Sequence, residues 1–161
     1  MMVKIDKSAF IAPGATVVGD VTIGAESSVW YGCVLRGDSG AIEIGNRVNI
    51  QDGCILHEEL HIADDVSIGH GAIVHGCTLE EGVLIGMGAI VLSGAHVGRG
   101  AVVAAGAVVT EGMEIPAGMM AMGCPAKVRG PVSEKTQAYM AQVPQEYVEL
   151  SRQAMKDLGQ L

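Results

Sequence analysis

The chain has 161 residues, enough for one domain with a sizeable core, yet only 3% of them are aromatic while 23 are glycine. Its interior must therefore be filled by Val, Ile, Leu and Ala, which calls for a narrow and uniform core. With 18 Asp and Glu against 10 Lys and Arg, the formal charge is −8; no basic stripe is present to displace counterions from phosphate, so nucleic-acid binding is excluded and the charge reads as solubility.

The opening segment MMVKIDKSAF has no apolar run of signal-peptide length, and the longest apolar stretch, AVVAAGAVV, is too short for a membrane span. A cytoplasmic protein with no membrane partner is expected. From Ile11 a period of six sets in. Aliphatics recur at Ile11, Val17, Ile23, Val29 and Leu35, then from Ile44 through Ile50, Leu56, Ile62 and Ile68 to Val74, then from Leu79 through Ile85, Val91, Val97 and Val103 to Val109. Two positions before most of them stands a small or apolar residue, among them Ala15, Cys33, Cys54, Ala72 and Ala89. Neither a helical period nor a plain strand alternation holds this register for so long. The pattern is that of a hexapeptide β-helix, in which six residues make one short strand and one turn. Three hexapeptides form a triangular coil, so residues one coil apart stack at about 4.8 Å, and roughly five coils fit between Ile11 and Val109. Glycines that follow an isoleucine, at 24, 45, 69 and 86, read as tight-turn residues. The four cysteines, Cys33, Cys54, Cys77 and Cys124, form no CxxC motif and read as reduced, small core residues.

The register breaks twice. Between Leu35 and Ile44 three extra residues predict a loop, GDSGA, and between Val74 and Leu79 one residue is missing. Glycine and proline in EGMEIPAGMMAMGCPAKVRGPV end the coils. The segment from Ser133 to Leu158 then reads as helical, with Pro144 as the first residue of a second helix. Residues 1–130 are thus expected to form the β-helix, and residues 131–161 a helical segment packed on it or on a neighbour, as a solenoid needs a cap.

Both register breaks flank histidines. His57 and His75 directly follow the core aliphatics Leu56 and Val74 and lie 18 apart, so they stack on adjacent coils. His70, two places beyond Ile68, belongs to the preceding face of the triangle. The three could not easily close on an ion within one subunit, but in a threefold trimer His57 and His75 of one chain would meet His70 of the next. Three imidazoles leave one position of a tetrahedral zinc open, the pattern of a catalytic site that activates water; imidazoles also suit iron and cobalt. His61 and His96, each directly before a core aliphatic, read as turn residues. Arg36 lies one coil below His57 and Asp52 one coil below His70, so an ion pair between them would form across the trimer interface.

VWYGCVLRGD, NIQDGCILH and GHGAIVHGC, in that order, resemble the γ-class carbonic anhydrases and their hexapeptide-repeat relatives, over a span from about Phe10 to Lys127. The resemblance implies an all-β, left-handed parallel β-helix with a C-terminal α-helical segment, a homotrimer, and a metal at each interface on His57, His70 and His75. The implied activity is zinc-dependent reversible hydration of CO2 to bicarbonate. It further implies that Arg36, Asp38 and Asp52 form an intersubunit cluster, that Gln51 orients the nucleophile, and that Asn49 lies near the substrate. Tyr147 is similar to a helix tyrosine that reaches the site in some relatives. The sequence departs from the best-characterised members where protons leave. Their glutamate after the RGD-like aspartate is Ser39 here, and their acidic loop after the first histidine is trimmed to EEL, leaving Glu58 and Glu59 as proton-transfer candidates. Two alternatives share the architecture. GCPAKVRG also resembles a common ending of hexapeptide acyltransferases, which points to an acyl-CoA-handling transferase or thioesterase with a histidine base and no metal. The other is a metal-binding trimer with a scaffold role.

Overall fold

A computed structural model describes residues 1–161. Short parallel strands stack rung on rung into a left-handed β-helix of triangular section, with one C-terminal helix. The first face holds Leu60–Ile62, Thr78–Leu79, His96–Val97 and Glu114–Ile115. The second rises from Phe10–Ile11 through Ser28–Val29, Asn49–Ile50, Ser67–Ile68, Leu84–Ile85 and Val102–Val103 to Met119–Gly123. The third holds Ile55–His57, Ile73–His75, Ile90–Val91 and Val108–Val109.

The six-residue period is the inward column of each face. Val29, Ile50, Ile68, Ile85 and Val103 stack along the second face, and Leu35, Leu56, Val74, Val91 and Val109 along the third, all inside one buried apolar cluster. Successive strand residues point to opposite sides, so the neighbours of each aliphatic are displayed outward. The missing residue is visible in the pairing: Leu56 stacks under Val74, 18 later, whereas Val74 stacks under Val91, 17 later.

Several expectations change. The three extra residues form a bulge within one continuous strand, Val34–Ile44, which turns from the third face to the first; its two ends pair with Thr16–Ile23 on the coil below, and the register shifts past Asp38–Ala41. The coils do not end after Val109: Ile115 and Ala121 still stack over Val97 and Val103, and the antiparallel pair Met119–Gly123 and Ala126–Pro131 closes the top. The glycine after each isoleucine is there for close approach rather than turn conformation. A Cβ on Gly69 would stand 2.8 Å from the Met87 nitrogen of the next coil. The left-handed turn conformation falls elsewhere in the hexapeptide, at positions such as Gly71 and Gly88, and is taken even by Glu26, Arg47 and Asp65. His61 and His96 are outward strand residues of the first face, not turn residues. Cys33, Cys54 and Cys77 are buried free thiols, but Cys124 is exposed, beyond the last rung of the core.

Helix α1, Glu134–Asp157, is a single element that runs through Pro144. Ser133 caps it, its Oγ accepting from the Thr136 N–H at 3.2 Å. Val143, Pro144, Val148, Ser151 and Met155 form its buried stripe, at the spacing of one helix face. Pro144 forfeits one backbone bond, and its burial against the coils offsets that loss. The helix packs on the second face, where Phe10, Trp30 and Tyr147 stack edge to face. No helix is long and apolar enough to cross a membrane.

Candidate metal centre

The third face carries the histidines along its edges. Arg36, His57 and His75 pair rung by rung in one outward column. Beside it runs an apolar outward column of Val34, Ile55, Ile73, Ile90 and Val108, in which Ile55 is 44% exposed. At the opposite corner Asp52 lies under His70, with the Gly71 N–H bonded to the Asp52 carbonyl at 2.9 Å.

The two stacked imidazoles face each other. His57 Nδ1 and His75 Nε2 are 3.3 Å apart. Two imidazole nitrogens bound tetrahedrally at 2.0–2.1 Å from zinc would be roughly 3.4 Å apart. The far nitrogens are engaged. His57 Nε2 lies 3.2 Å from Asp38 Oδ1 and 3.0 Å from Ser39 Oγ, and His75 Nδ1 lies 2.9 Å from Ser93 Oγ. When those nitrogens donate, the tautomers are fixed and two lone pairs face each other across the 3.3 Å gap, which a cation between them stabilises. His70 follows the same plan: its Nδ1 meets Asp52 Oδ2 at 3.0 Å, which leaves Nε2 free. A carboxylate or hydroxyl behind each imidazole is the usual support of a metal-binding histidine.

No group of three His, Cys, Asp or Glu within the chain is placed to hold a metal ion. His70 stands at one end of the third face, and His57 and His75 at the other. The remaining sequence-derived residues divide between these ends. Asp38 is bound by Arg36 at 2.7 Å; this hydrogen bond, and then that of His57, hold its carboxyl below the usual aspartate value. Glu58 turns toward His75 and Ser93, with Oε2 3.6 Å from His75 Nδ1 and 3.3 Å from Ser93 Oγ. Glu59 turns the other way, to His61 at 3.6 Å.

Asn49 and Gln51 belong to the His70 end. Both are buried, and Gln51 Nε2 donates to Asn49 Oδ1 at 3.0 Å while Asn49 Nδ2 donates to Ser67 Oγ at 2.7 Å. Tyr147, on α1, stacks edge to face on Trp30, the ring centroids 5.6 Å apart. Burial, and then the Asp52 carboxylate, raise its phenol above the ordinary tyrosine value. Within one chain Arg36 and Asp52 keep separate partners, Asp38 and His70.

Ser93 was not singled out in the sequence, although it lies 18 residues after His75, the signal that would have found it. The largest groove, about 600 Å³ between α1 and the corner of Arg47, Asp65 and Gly82, holds none of the candidate residues.

The bacterial transferase hexapeptide (six repeats) family model matches residues 2–37 and 76–111. The chain is 41% identical over 158 residues to γ carbonic anhydrase 2, mitochondrial, of Arabidopsis thaliana, an alignment covering 92% of this chain and 57% of that protein. It is 49% identical over 150 residues to a carbonic anhydrase of Geobacillus kaustophilus, covering 91% and 82%. The crystal structure of a hexapeptide transferase family protein from Anaplasma phagocytophilum superposes with a TM-score of 0.91 at 40% identity, covering 93% of this chain and 91% of that one. Against the plant relatives the chain is short: it spans 57% of γ carbonic anhydrase 2 and 36% of γ carbonic anhydrase 1.

Proposed function

The chain belongs to the γ-class carbonic anhydrase family of hexapeptide-repeat proteins, and from that footing we propose that it hydrates CO2 reversibly to bicarbonate as a homotrimer with zinc at each subunit interface. The carrying observation is that each imidazole has a carboxylate or hydroxyl at one nitrogen, while the second nitrogens of His57 and His75 meet only each other, 3.3 Å apart. His57 and His75 of one subunit and His70 of the next would hold the ion. The exposed apolar column around Ile55 on the face between them is the surface that such a trimer would bury. An ion so bound would lower the pKa of water and supply a nucleophile for CO2 at neutral pH; iron and cobalt fit the same ligands.

The residues of the chain do the rest. Asp38, Ser39, Ser93 and Asp52 fix imidazole tautomers. Gln51, tethered by Asn49, orients the nucleophile from the His70 side, and Asn49 and Tyr147 border the substrate. Arg36, already bound to Asp38, reaches Asp52 of the adjacent subunit. Glu58, beside His75 and Ser93, leads protons away from the centre, whereas Glu59, turned to His61, is a surface charge.

Zinc content per subunit and CO2 hydration by metal-replete protein test this reading together. One zinc per chain with CO2 turnover supports it, whereas zinc without turnover leaves a metal-binding trimer. Relatives named as transferases support acyl-CoA handling as the second reading; that chemistry needs no metal, so acyl-CoA turnover by chelated protein would replace the first.

A further inference from the structure

Behind the Asp52–His70 pair lies a column of small inward residues: Ala15, Cys33, Cys54, Ala72, Ala89 and Ala107, one per coil. In two successive coils the column holds a thiol where its upper part holds methyl groups. The Cys33 thiol donates to the Gln51 carbonyl at 3.0 Å, and the Cys54 thiol to the Gly69 carbonyl at 3.1 Å. Those carbonyls belong to the peptide planes whose nitrogens are those of Asp52 and His70. Gly69 O already accepts the turn bond from Ala72 N at 3.2 Å, and the thiol takes its second lone pair. One coil higher the same turn bond recurs, from Ala89 N to Gly86 O at 3.2 Å, but Ala72 stands where a thiol would be and the plane leads to Met87, which carries no polar group.

We propose that Cys33 and Cys54 are positioning residues, whose S–H groups fix the two peptide planes carrying Asp52 and His70 and so aim the third imidazole of the metal centre. Volume alone does not call for sulfur, because alanine fills the same column in the coils above. Contact with the Cys33 thiol, and burial, hold the Cys54 thiol above the ordinary cysteine value, so it remains a donor. Its use toward a metal rests on the function proposed above.

The test compares Cys33→Ala and Cys54→Ala with Cys33→Ser and Cys54→Ser, the serines keeping a donor. Chelator competition should show zinc affinity lowered about tenfold in the alanine variants, the low end of what lost outer support costs a metal site, and retained in the serine variants. In metal-free protein the His70 Nδ1–H, held by Asp52, should exchange with solvent faster in the alanine variants and at the wild-type rate in the serine variants. Equal zinc affinity and exchange in wild type and alanine variants would overturn the proposal. So would equal losses in alanine and serine, which would reduce the thiols to packing. If the wild type binds no zinc, the metal assignment falls, and the His70 exchange rates alone decide the role of the thiols.

Discussion

A site shared between subunits can be rebuilt from two broken ones. His57→Ala removes one of the two stacked imidazoles, and His70→Ala removes the imidazole at the other end of the third face. No homotrimer of either variant contains a three-histidine site. If the site is shared as proposed, each interface of a cyclic mixed trimer takes His57 and His75 from one chain and His70 from its neighbour. An intact site forms where a His70→Ala chain supplies the first pair to a His57→Ala neighbour. With equal amounts and random assembly, half of the chains supply the pair and half of their neighbours supply His70, so about one site in four is restored. Heterotrimers carry one intact site each; of their other two interfaces, one lacks one ligand and the other lacks two. Co-refolding differently tagged variants, confirming mixed trimers by native mass spectrometry, and counting zinc should therefore recover about a quarter of the wild-type capacity, with CO2 hydration in proportion. Each variant refolded alone should give neither. Verified mixed trimers that bind no zinc would refute the sharing of the site.

The apolar column gives a second expectation: Ile55→Asp, at a position exposed in the single chain, should shift the species near 50 kDa, three times 16.6 kDa, to monomer in sedimentation and lose zinc with it, since an unpaired charge in that interface costs several kcal/mol. A trimer that survives the substitution would place the interface elsewhere. The glycine reassignment predicts an order of stabilities by urea midpoint. Gly86→Ala drives a methyl into the backbone of Ala104 and Ala105 and should cost about 3 kcal/mol, whereas Gly100→Ala, in a left-handed turn facing open space, should cost about 1 kcal/mol; the reverse order would restore the turn role. Glu80 accepts from the Arg99 N–H at 2.8 Å and meets His96 at 2.9 Å, which hold its carboxyl below the ordinary glutamate value. A depressed carboxylate stabilises the fold while ionised, so wild type should melt above Glu80→Gln at neutral pH, and the gap should close as pH falls from the ordinary glutamate range through the depressed value. A gap that widens in acid would contradict that sign.

The parts of this molecule that follow a column were legible in the sequence. Counting by coils placed Arg36, His57 and His75 in one register and Asp52 under His70, because a parallel solenoid turns sequence distance directly into vertical distance. Counting failed where the determinant was a neighbouring backbone rather than the residue itself. Gly69 looks like a turn glycine, but what excludes a side chain there is the chain of the next coil. The inserted GDSGA is rich in turn formers, yet it is bulged out within one strand, because Val34–Gly37 before it and Ile42–Ile44 after it both pair to the Thr16–Ile23 strand below. Pro144 marks a helix start by local rules, and only its burial against the coils allows α1 to pass through it. The partners of the imidazoles lie between these extremes: Ser39 and Ser93 are each 18 residues from the histidine they touch, but serine is too common for that spacing alone to carry weight.

The division of the histidines follows from the fold itself. A coil presents flat faces, and a face cannot bend back on its own outward side chains. His75 lies five positions after His70, up to about 16 Å of chain at strand rise, and the apolar column around Ile55 lies between the columns that carry them. Stacking therefore supplies a close pair of nitrogens easily and a third ligand from the far edge only with difficulty. A second copy rotated about a threefold axis supplies that edge without deforming any coil. In such an assembly the surface that buries the apolar column is also the one that completes the ligand set. Metal binding and association then become one linked equilibrium, in which each strengthens the other by mass action.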